Sequence, residues 1–304
     1  MEIIVCVKHV PDTTEAEVGI RDDEKGIKKE GLVFDINEAD NYAVEEALLL
    51  KEELGGSVTV LTVGPPAADE TLRMCLAKGA DRAVRLTDER FEGSDSFATA
   101  RILAEAIREL GRRPSPIDYD LVLTGCMADD DASAQVGVTL AEMLGIPHAA
   151  LVIGTEVEGA RSETFAHRRE TFAHRWETFA HRPETFAHRR ETFAYRMKVH
   201  RELEGGLHEV LDIELPALFT IQTGINEPRY ASIFGIRQAM KKQIETLGLE
   251  GLGLAEEAVG EAGSKTSLVR LFIPEVTALA TVLHGSPEEV SSELLTILKN
   301  EGVI

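Results

Sequence analysis

The 304-residue sequence has few cysteines, little basic charge and no long apolar run. Its three cysteines, Cys6, Cys75 and Cys126, lack the spacing of a metal site, and their odd number is typical of reduced thiols in a cytosol. With 32 basic and 53 acidic residues, the net charge of −21 argues against non-specific binding to nucleic acid or to an anionic membrane. Without a membrane-length run or a leader-like N-terminus, we expect a cytoplasmic protein without membrane insertion.

Strands and helices alternate along the first half of the chain. Nearly continuous apolar runs at 3–7, 58–63 and 121–125 are typical of strands buried on both faces. Between them, apolar residues recur at helical spacing, as within 43–54. The alternation predicts an α/β fold, with a parallel sheet of Rossmann-like or flavodoxin-like order and helices on both faces.

The first of these helices has a clear start signal. Asn37 is a favourable N-cap residue, and Asp40 follows three positions later. We therefore expect a capping box, in which the two residues exchange side-chain and backbone hydrogen bonds.

The stretch 121–137, LVLTGCMADDDASAQVG, passes from a strand through a loop into a helix. The backbone N–H groups and the dipole at a helix start favour an anion, so this turn is a candidate phosphate cradle. The loop has no Lys or Arg, so main-chain donors and the Ser133 hydroxyl would have to hold the phosphate. An ordinary strand-to-helix connection is the even alternative on local evidence.

Parallel strands end at the same edge of a sheet, where α/β proteins place their ligands. The loops after the first, second and fourth predicted strands should therefore line one crevice. Besides the loop 125–135, they supply these candidate residues: Cys6, Lys8, Val10, Asp12, Thr13, Val63 and Gly64.

Residues 162–196 are five consecutive heptapeptides, from SETFAHR to RETFAYR. Phe and Ala are adjacent in each, unlike the two spaced apolar positions of a coiled coil, and the histidines lack zinc-site spacing. Excising the block joins a strand at 151–157 to one at 198–203 as a hairpin. We interpret the repeat as a tandem duplication inserted at an exposed hairpin tip, where insertions are best tolerated.

The second half of the chain predicts further strands at 208–213 and 218–222 and a helix over 231–244. The final helix has strong start signals, with Ser286 at the N-cap, Pro287 at the first position and Glu289 at the third. We expect two domains, an α/β domain over 1–244 and a C-terminal arm over 245–304.

A series of motifs, in order, resembles the beta subunit of electron transfer flavoproteins. They are VCVKHVPDTTE, NEADNYAVEEALLLKEELGG, LTVGPP, LAKGADRAV, AQVG, VHRELEGG and INEPRYASI. The resemblance implies a Rossmann-like (adenine nucleotide alpha hydrolase-like) fold that holds an adenine nucleotide. It also implies a heterodimer with an alpha subunit, which carries the redox FAD and on which the C-terminal arm packs.

The resemblance also implies a nucleotide site and a partner-recognition loop. The nucleotide-site positions are Cys6, Asn37, Glu38, Ala39, Asp40, Val63, Gly125, Cys126, Met127, Asp130, Asp131, Ser133, Ala134, Gln135, Val136 and Gly137. The recognition residues are Asn226, Glu227, Pro228, Arg229, Tyr230 and Ile233, of which Ile233 matches an apolar anchor for an acyl-CoA dehydrogenase. Cys126 and Met127 depart from the family, which usually has a basic residue and Gln there.

The resemblance leaves two cofactors open for this subunit. Simple carriers hold structural AMP, whereas electron-bifurcating members hold a second FAD that accepts hydride from NADH. Residues 260–274 are similar to the tail of bifurcating members, which favours FAD near Val10–Thr13 and 125–137, with NADH as donor and ferredoxin as a low-potential acceptor. The alternatives are the AMP-holding carrier and a stand-alone nucleotide sensor of the universal-stress type.

Overall fold

The apolar runs of the sequence form one large sheet in the computed structural model, which describes residues 1–13, 18–112, 119–158, 196–274 and 280–303. The strands are β1 (Glu2–Cys6), β2 (His9–Pro11), β3 (Phe34–Ile36), β4 (Ser57–Val63), β5 (Arg82–Leu86), β6 (Leu121–Gly125), β7 (His148–Glu158), β8 (Arg196–Leu203), β9 (Leu207–Glu214), β10 (Ala217–Ile221) and β11 (Ile244–Leu247). The α-helices are α1 (Glu38–Leu54), α2 (Asp69–Lys78), α3 (Ser96–Arg112), α4 (Val136–Leu144), α5 (Ile233–Ala239), α6 (Leu249–Leu252), α7 (Gly260–Gly263) and α8 (Pro287–Asn300).

Within these residues, the main sheet has the strand order β11-β5-β4-β1-β6-β10-β7-β8-β9. All neighbours from β11 to β7 are parallel, and β8 runs antiparallel to both β7 and β9. The chain moves outward from β1 to β4 and β5, then returns to β6 on the other side of β1. This reversal is the Rossmann order and excludes the flavodoxin-like alternative, so the predicted α/β fold is confirmed.

Helices cover both faces of the sheet because successive side chains of each strand point to opposite sides. Ile3 and Val5 of β1 pack in the core with α1 and α2. Ile4 and Cys6 of the same strand pack in the other core with α3 and α4. The near-continuous apolar pattern of the central strand therefore reflects burial on both faces, as predicted.

Two predictions about local structure were wrong. The helix predicted over 231–244 stops at Ala239, and β11 follows it. Arg73 Nη1 donates to the carbonyl of Ala239 at 2.6 Å, and the Lys242 ammonium donates to that of Ala80, also at 2.6 Å. These contacts with α2 and the loop after it direct the chain into pairing with β5, so tertiary contacts override the helical pattern. The predicted loop after β1 contains β2, which pairs with β3.

The hairpin predicted on either side of the repeat is confirmed. Strands β7 and β8 pair from Val152↔Arg201 to Glu158↔Arg196, and β8 pairs with β9 along its whole length. The repeat itself lies outside the described residues except Arg196, which begins β8. Its interpretation as an insertion without a catalytic role stays a prediction.

The chain divides into two units, Met1–Val18 with Lys29–Ser267, and Gly19–Lys28 with Leu268–Ile304. The first unit holds the sheet and extends beyond residue 244, since β11 belongs to the sheet. In the second unit, Leu271 N donates to the carbonyl of Glu24 at 2.6 Å.

The final helix, α8, begins with the predicted capping box, with Ser286 N donating to Glu289 Oε2 at 2.8 Å. Across the described ranges, no helix combines the length and hydropathy that crossing a bilayer requires.

We predict that deleting residues 162–195 leaves the fold and the cofactor content intact. Gly159, Ala160 and Arg161 would then connect the paired ends of β7 and β8. The thermal midpoint should be equal or higher, because each halving of a connection relieves about 0.6 kcal/mol of closure entropy. Circular dichroism melts and cofactor absorbance check this. A deletion of 162–203, which also removes β8, should destabilise the sheet; equal damage by both deletions would contradict the prediction.

Candidate functional site

The side chain of Asp40 joins the ends of two central strands. Asp40 lies in the first turn of α1, and its carboxylate is buried. Oδ2 accepts from the backbone N–H of Lys8, just beyond β1, and Oδ1 accepts from that of Gly125 at the end of β6, both at 2.7 Å. Since β1 and β6 are the strands between which the chain reverses direction, Asp40 fixes the crevice where Rossmann folds bind ligands.

The start of α1 corrects the predicted capping box. Asn37 occupies the N-cap position but makes no side-chain cap bond. Its Nδ2 donates to the carbonyl of Met127 at 2.9 Å, and its Oδ1 accepts from Asp129 N at 2.8 Å. The Asp129 carboxylate caps the helix instead, accepting from Glu38 N at 3.0 Å. Both predicted capping side chains, Asn37 and Asp40, are thus used to hold the loop after β6.

Two glycines of this region are required by close packing. A Cβ on Gly125 would lie 2.5 Å from Asp40 Oδ1 and 2.8 Å from Asp40 N. A Cβ on Gly137 would lie 2.5 Å from Thr124 Oγ1 and 2.6 Å from Thr220 Cγ2. A larger side chain at either position therefore displaces a helix from the sheet, and loss of nucleotide in such a variant would report on packing first.

A cation reaches the loop from outside it. Lys8 Nζ lies 2.5 Å from Asp130 Oδ1 and 2.9 Å from Asp131 Oδ2. Partial burial opposes the charged form, but the hydrogen bonds to the two carboxylates raise the pKa of Lys8 above its ordinary value. The loop has no Lys or Arg of its own, and Lys8, two residues beyond β1, supplies a positive charge beside it. Only the fold brings Lys8 and the loop together.

The start of α4 has the features of an anion cradle. Its N-cap residue, Gln135, makes no side-chain cap bond, and the first-turn N–H groups of a helix have no partner within the helix. Ala132 and Ala134 have φ values of 50° and 54°, a conformation that non-glycine residues rarely adopt and that is often found at functional sites. Half-buried Ser133 lies between them. Together with Lys8, these donors fit the phosphate of an adenine nucleotide.

The remaining candidate residues lie around this cradle or behind it. Cys126 Sγ donates to Gln222 Oε1 at 2.8 Å, and Met127 is exposed. The other candidates fall into three groups by exposure. Buried are Cys6, Val10 and Ala39; half-buried are Val63, Gly64 and Val136; exposed are Asp12, Thr13, Glu38, Ala134 and Gln135. Burial raises the pKa of the Cys6 thiol, which keeps it protonated.

The predicted recognition loop divides into inward and outward residues. Asn226 and Arg229 bond to α1, whereas Tyr230 and Ile233 are 96% and 81% exposed. Phe234 and Met240 are 70% and 74% exposed, and they extend this apolar face although the sequence did not single them out. Their signal in the sequence is the short apolar run 233–236, which follows Tyr230.

Asp40 makes the stability of the first unit depend on pH. Burial raises the pKa of its carboxyl from 3.8 to about 7, against the lowering effect of its hydrogen bonds. Between these values the folded protein holds a proton that the unfolded chain releases. The contribution of Asp40 to the free energy of unfolding therefore falls as the pH rises through this window.

We predict that the wild type loses stability relative to Asp40→Asn between about pH 4 and pH 7, measured by urea unfolding at each pH. Asp95→Asn is the control. Burial raises the pKa of Asp95, but hydrogen bonds from Ala98, Thr266 and Lys265 lower it to about 2. The contribution of Asp95 to the free energy of unfolding is therefore lost only in acid. A pH-independent difference for Asp40→Asn would contradict the prediction.

Comparisons with known proteins agree with this fold. The family model for the electron transfer flavoprotein domain matches residues 26–193. The chain is 35% identical over 300 residues to electron transfer flavoprotein subunit beta of Methylophilus methylotrophus, covering 98% of each chain.

Two further relatives are matched over the whole length of both chains. One is the caffeyl-CoA reductase-Etf complex subunit CarD of Acetobacterium woodii, 34% identical over 307 residues. The other is the acryloyl-CoA reductase electron transfer subunit gamma of Anaerotignum propionicum, 32% identical over 309 residues. The chain therefore belongs to the electron transfer flavoprotein beta-subunit family.

Proposed function

We propose that this chain is the beta subunit of a heterodimeric electron transfer flavoprotein, with FAD at the crevice between β1 and β6, and that the heterodimer performs flavin-based electron bifurcation. It would pass electrons from NADH, or from an acyl-CoA dehydrogenase, to other acceptors such as ferredoxin. The observation that carries the proposal is the cradle at the start of α4, with Lys8 beside it at the point where the sheet reverses direction.

The residues of the cradle have separate tasks in this proposal. The open N–H groups of α4 and the Ser133 hydroxyl would donate to phosphate oxygens, and Lys8 would balance part of their charge. Asp40 and Asn37 would hold the loop in place without touching the nucleotide. FAD, when bound, supplies the one- and two-electron chemistry, so none of these side chains need act as a nucleophile or general base.

The choice of FAD depends on the similarity of residues 260–274 to the tail of bifurcating members. The donor set itself accepts a single phosphate as readily as a diphosphate, because it consists of one helix start, one hydroxyl and one Lys. Structural AMP, with all redox chemistry on the alpha-subunit FAD, is therefore the alternative.

Two exposed apolar surfaces would bind proteins. The recognition face, defined as Tyr230, Ile233, Phe234 and Met240, would bind a flavoenzyme that acts on acyl-CoA thioesters. The names of two relatives, one from a caffeyl-CoA reductase complex and one from an acryloyl-CoA reductase, support this class of partner. Exposed apolar residues of α8, including Leu294 and Leu295, would pack on the alpha subunit.

We predict two FAD and no AMP per purified heterodimer. Acid release of the cofactors, followed by chromatography and quantitation against protein, measures both. One FAD with one AMP would eliminate bifurcation and establish the alternative. A stable monomer of this chain that binds ATP would contradict both assignments.

We predict that Lys8→Gln weakens binding of FAD or AMP to the stripped heterodimer by roughly tenfold or more, since a hydrogen bond to a charged group contributes about 1.5–3 kcal/mol. Ser133→Ala should cost less, about 1 kcal/mol, because its hydroxyl is neutral. Titration calorimetry measures both. The matched control is Lys51→Gln, which removes a Lys–Asp81 pair near the other end of α1. Equal nucleotide affinity of Lys8→Gln and wild type would show that the phosphate binds elsewhere.

A further inference from the structure

Arg229 is held by two carboxylates of α1. Its Nε and Nη2 lie 3.0 and 2.9 Å from Glu45 Oε1, and its Nη1 lies 2.5 Å from Glu52 Oε1. The backbone N–H of Arg229 also donates to Glu45 Oε2 at 3.0 Å. The Glu45 side chain is only 5% exposed and that of Arg229 is 32% exposed, so this pair is partly shielded from water. Such forked pairs fix geometry as well as charge.

A second contact holds the same loop three residues earlier. Asn226 Nδ2 donates to Glu46 Oε2 at 3.0 Å and to the carbonyl of Tyr42 at 3.2 Å. The Glu46 side chain also accepts a hydrogen bond from Thr155 of β7, so it is itself fixed. The loop is therefore bonded to α1 at two positions.

The recognition face begins directly after Arg229. Tyr230 is the residue next to Arg229, and Ile233 is four residues on. On its other side, α5 lies against α2 so closely that a Cβ on Gly235 would be 2.2 Å from the carbonyl oxygen of Ala77. The exposed apolar side chains thus stand on a backbone held at both ends.

We propose that Arg229, through its pairs with Glu45 and Glu52, is a positioning residue that presents the recognition face to the partner flavoenzyme. This inference rests on the proposed function of that face. An exposed apolar surface gains affinity when its conformation is fixed beforehand, because binding then loses less conformational entropy. Arg229 already shares its charge between two carboxylates, so it acts by holding the loop, and the partner is contacted by Tyr230 and Ile233.

The experiment uses the intact heterodimer and an acyl-CoA dehydrogenase from the same cells, isolated by its activity with an acyl-CoA and an artificial dye. Electron transfer is measured while the heterodimer concentration is varied. For Arg229→Gln we expect the KM for the heterodimer to rise roughly tenfold, with kcat within about twofold of wild type. Nucleotide content should not change. Hydrogen exchange of residues 223–232 should accelerate, and Arg82→Gln, which removes the Arg82–Glu245 pair elsewhere, is the control.

Two more variants distinguish positioning from direct contact with an acidic partner. Arg229→Lys keeps the charge but cannot fork to both carboxylates, so its KM should remain raised. Glu52→Gln leaves Arg229 in place and frees part of its charge, and its KM should also rise. Full recovery by Arg229→Lys, or an unchanged KM for Glu52→Gln, would overturn the inference in favour of direct contact.

The Ile233→Ala variant tests the recognition face independently. If Ile233→Ala raises the KM but Arg229→Gln does not, the positioning role of Arg229 is wrong, while partner binding by the recognition face is supported. If exchange accelerates in Arg229→Gln while neither variant changes the KM, the proposed face is wrong, and the inference that depends on it also fails. Unchanged exchange in Arg229→Gln would show that the pairs do not hold the loop.

Discussion

The rest of the site depends on the bonds of one buried carboxylate. Asp40 accepts from backbone N–H groups at the ends of β1 and β6, and it does so from the first turn of α1. Those N–H groups lie where the sheet ladder ends, so without Asp40 they would be half-buried donors lacking this partner. Leaving a buried donor unsatisfied costs about 1–3 kcal/mol, which explains why an acid is kept in so apolar a setting. The close approach that these bonds need is also why position 125 is a glycine.

Helix α1 consequently supports two separate loops. Its first turn holds the loop after β6 through Asn37 and Asp40, and its later turns hold the recognition loop through Glu45, Glu46 and Glu52. The two sets lie on one rigid element, separated by up to roughly 22 Å at 1.5 Å per residue. Most of the polar residues on this helix therefore bond to other parts of the fold. An acidic helix face in a chain of net charge −21 is thus only partly a solvated surface.

The fold could be predicted from periodicity, but the roles of polar residues could not. Apolar runs predict the strands and helical spacing predicts the helices, because both patterns follow from local burial. The rules for connecting them then predict the order of the sheet around β1. Asn37 and Asp40 show the limit, since their spacing satisfies the capping-box rule while their side chains bond to a loop about 90 residues away in sequence. Lys8 is a similar case, as its pairing with Asp130 and Asp131 requires β1 and β6 to be neighbours. Strand β11 was missed because its four residues are too few to show a strand pattern and its pairing with the edge of β5 is not visible in the sequence.

In the proposed function, the cradle would bind an anion through Lys8 and a set of neutral donors whose arrangement is fixed before the anion arrives. Lys8 also bonds to Asp130 and Asp131, so it would offset only part of the charge of a phosphate. The left-handed backbone at Ala132 and Ala134 costs on the order of 1 kcal/mol each. The bonds from Asn37 to Met127 and Asp129, with those of Asp40, offset that cost within the folded chain. Because folding has fixed the loop, binding a nucleotide would cost the loop little further conformational entropy, which is how so acidic a loop could serve as the proposed phosphate site.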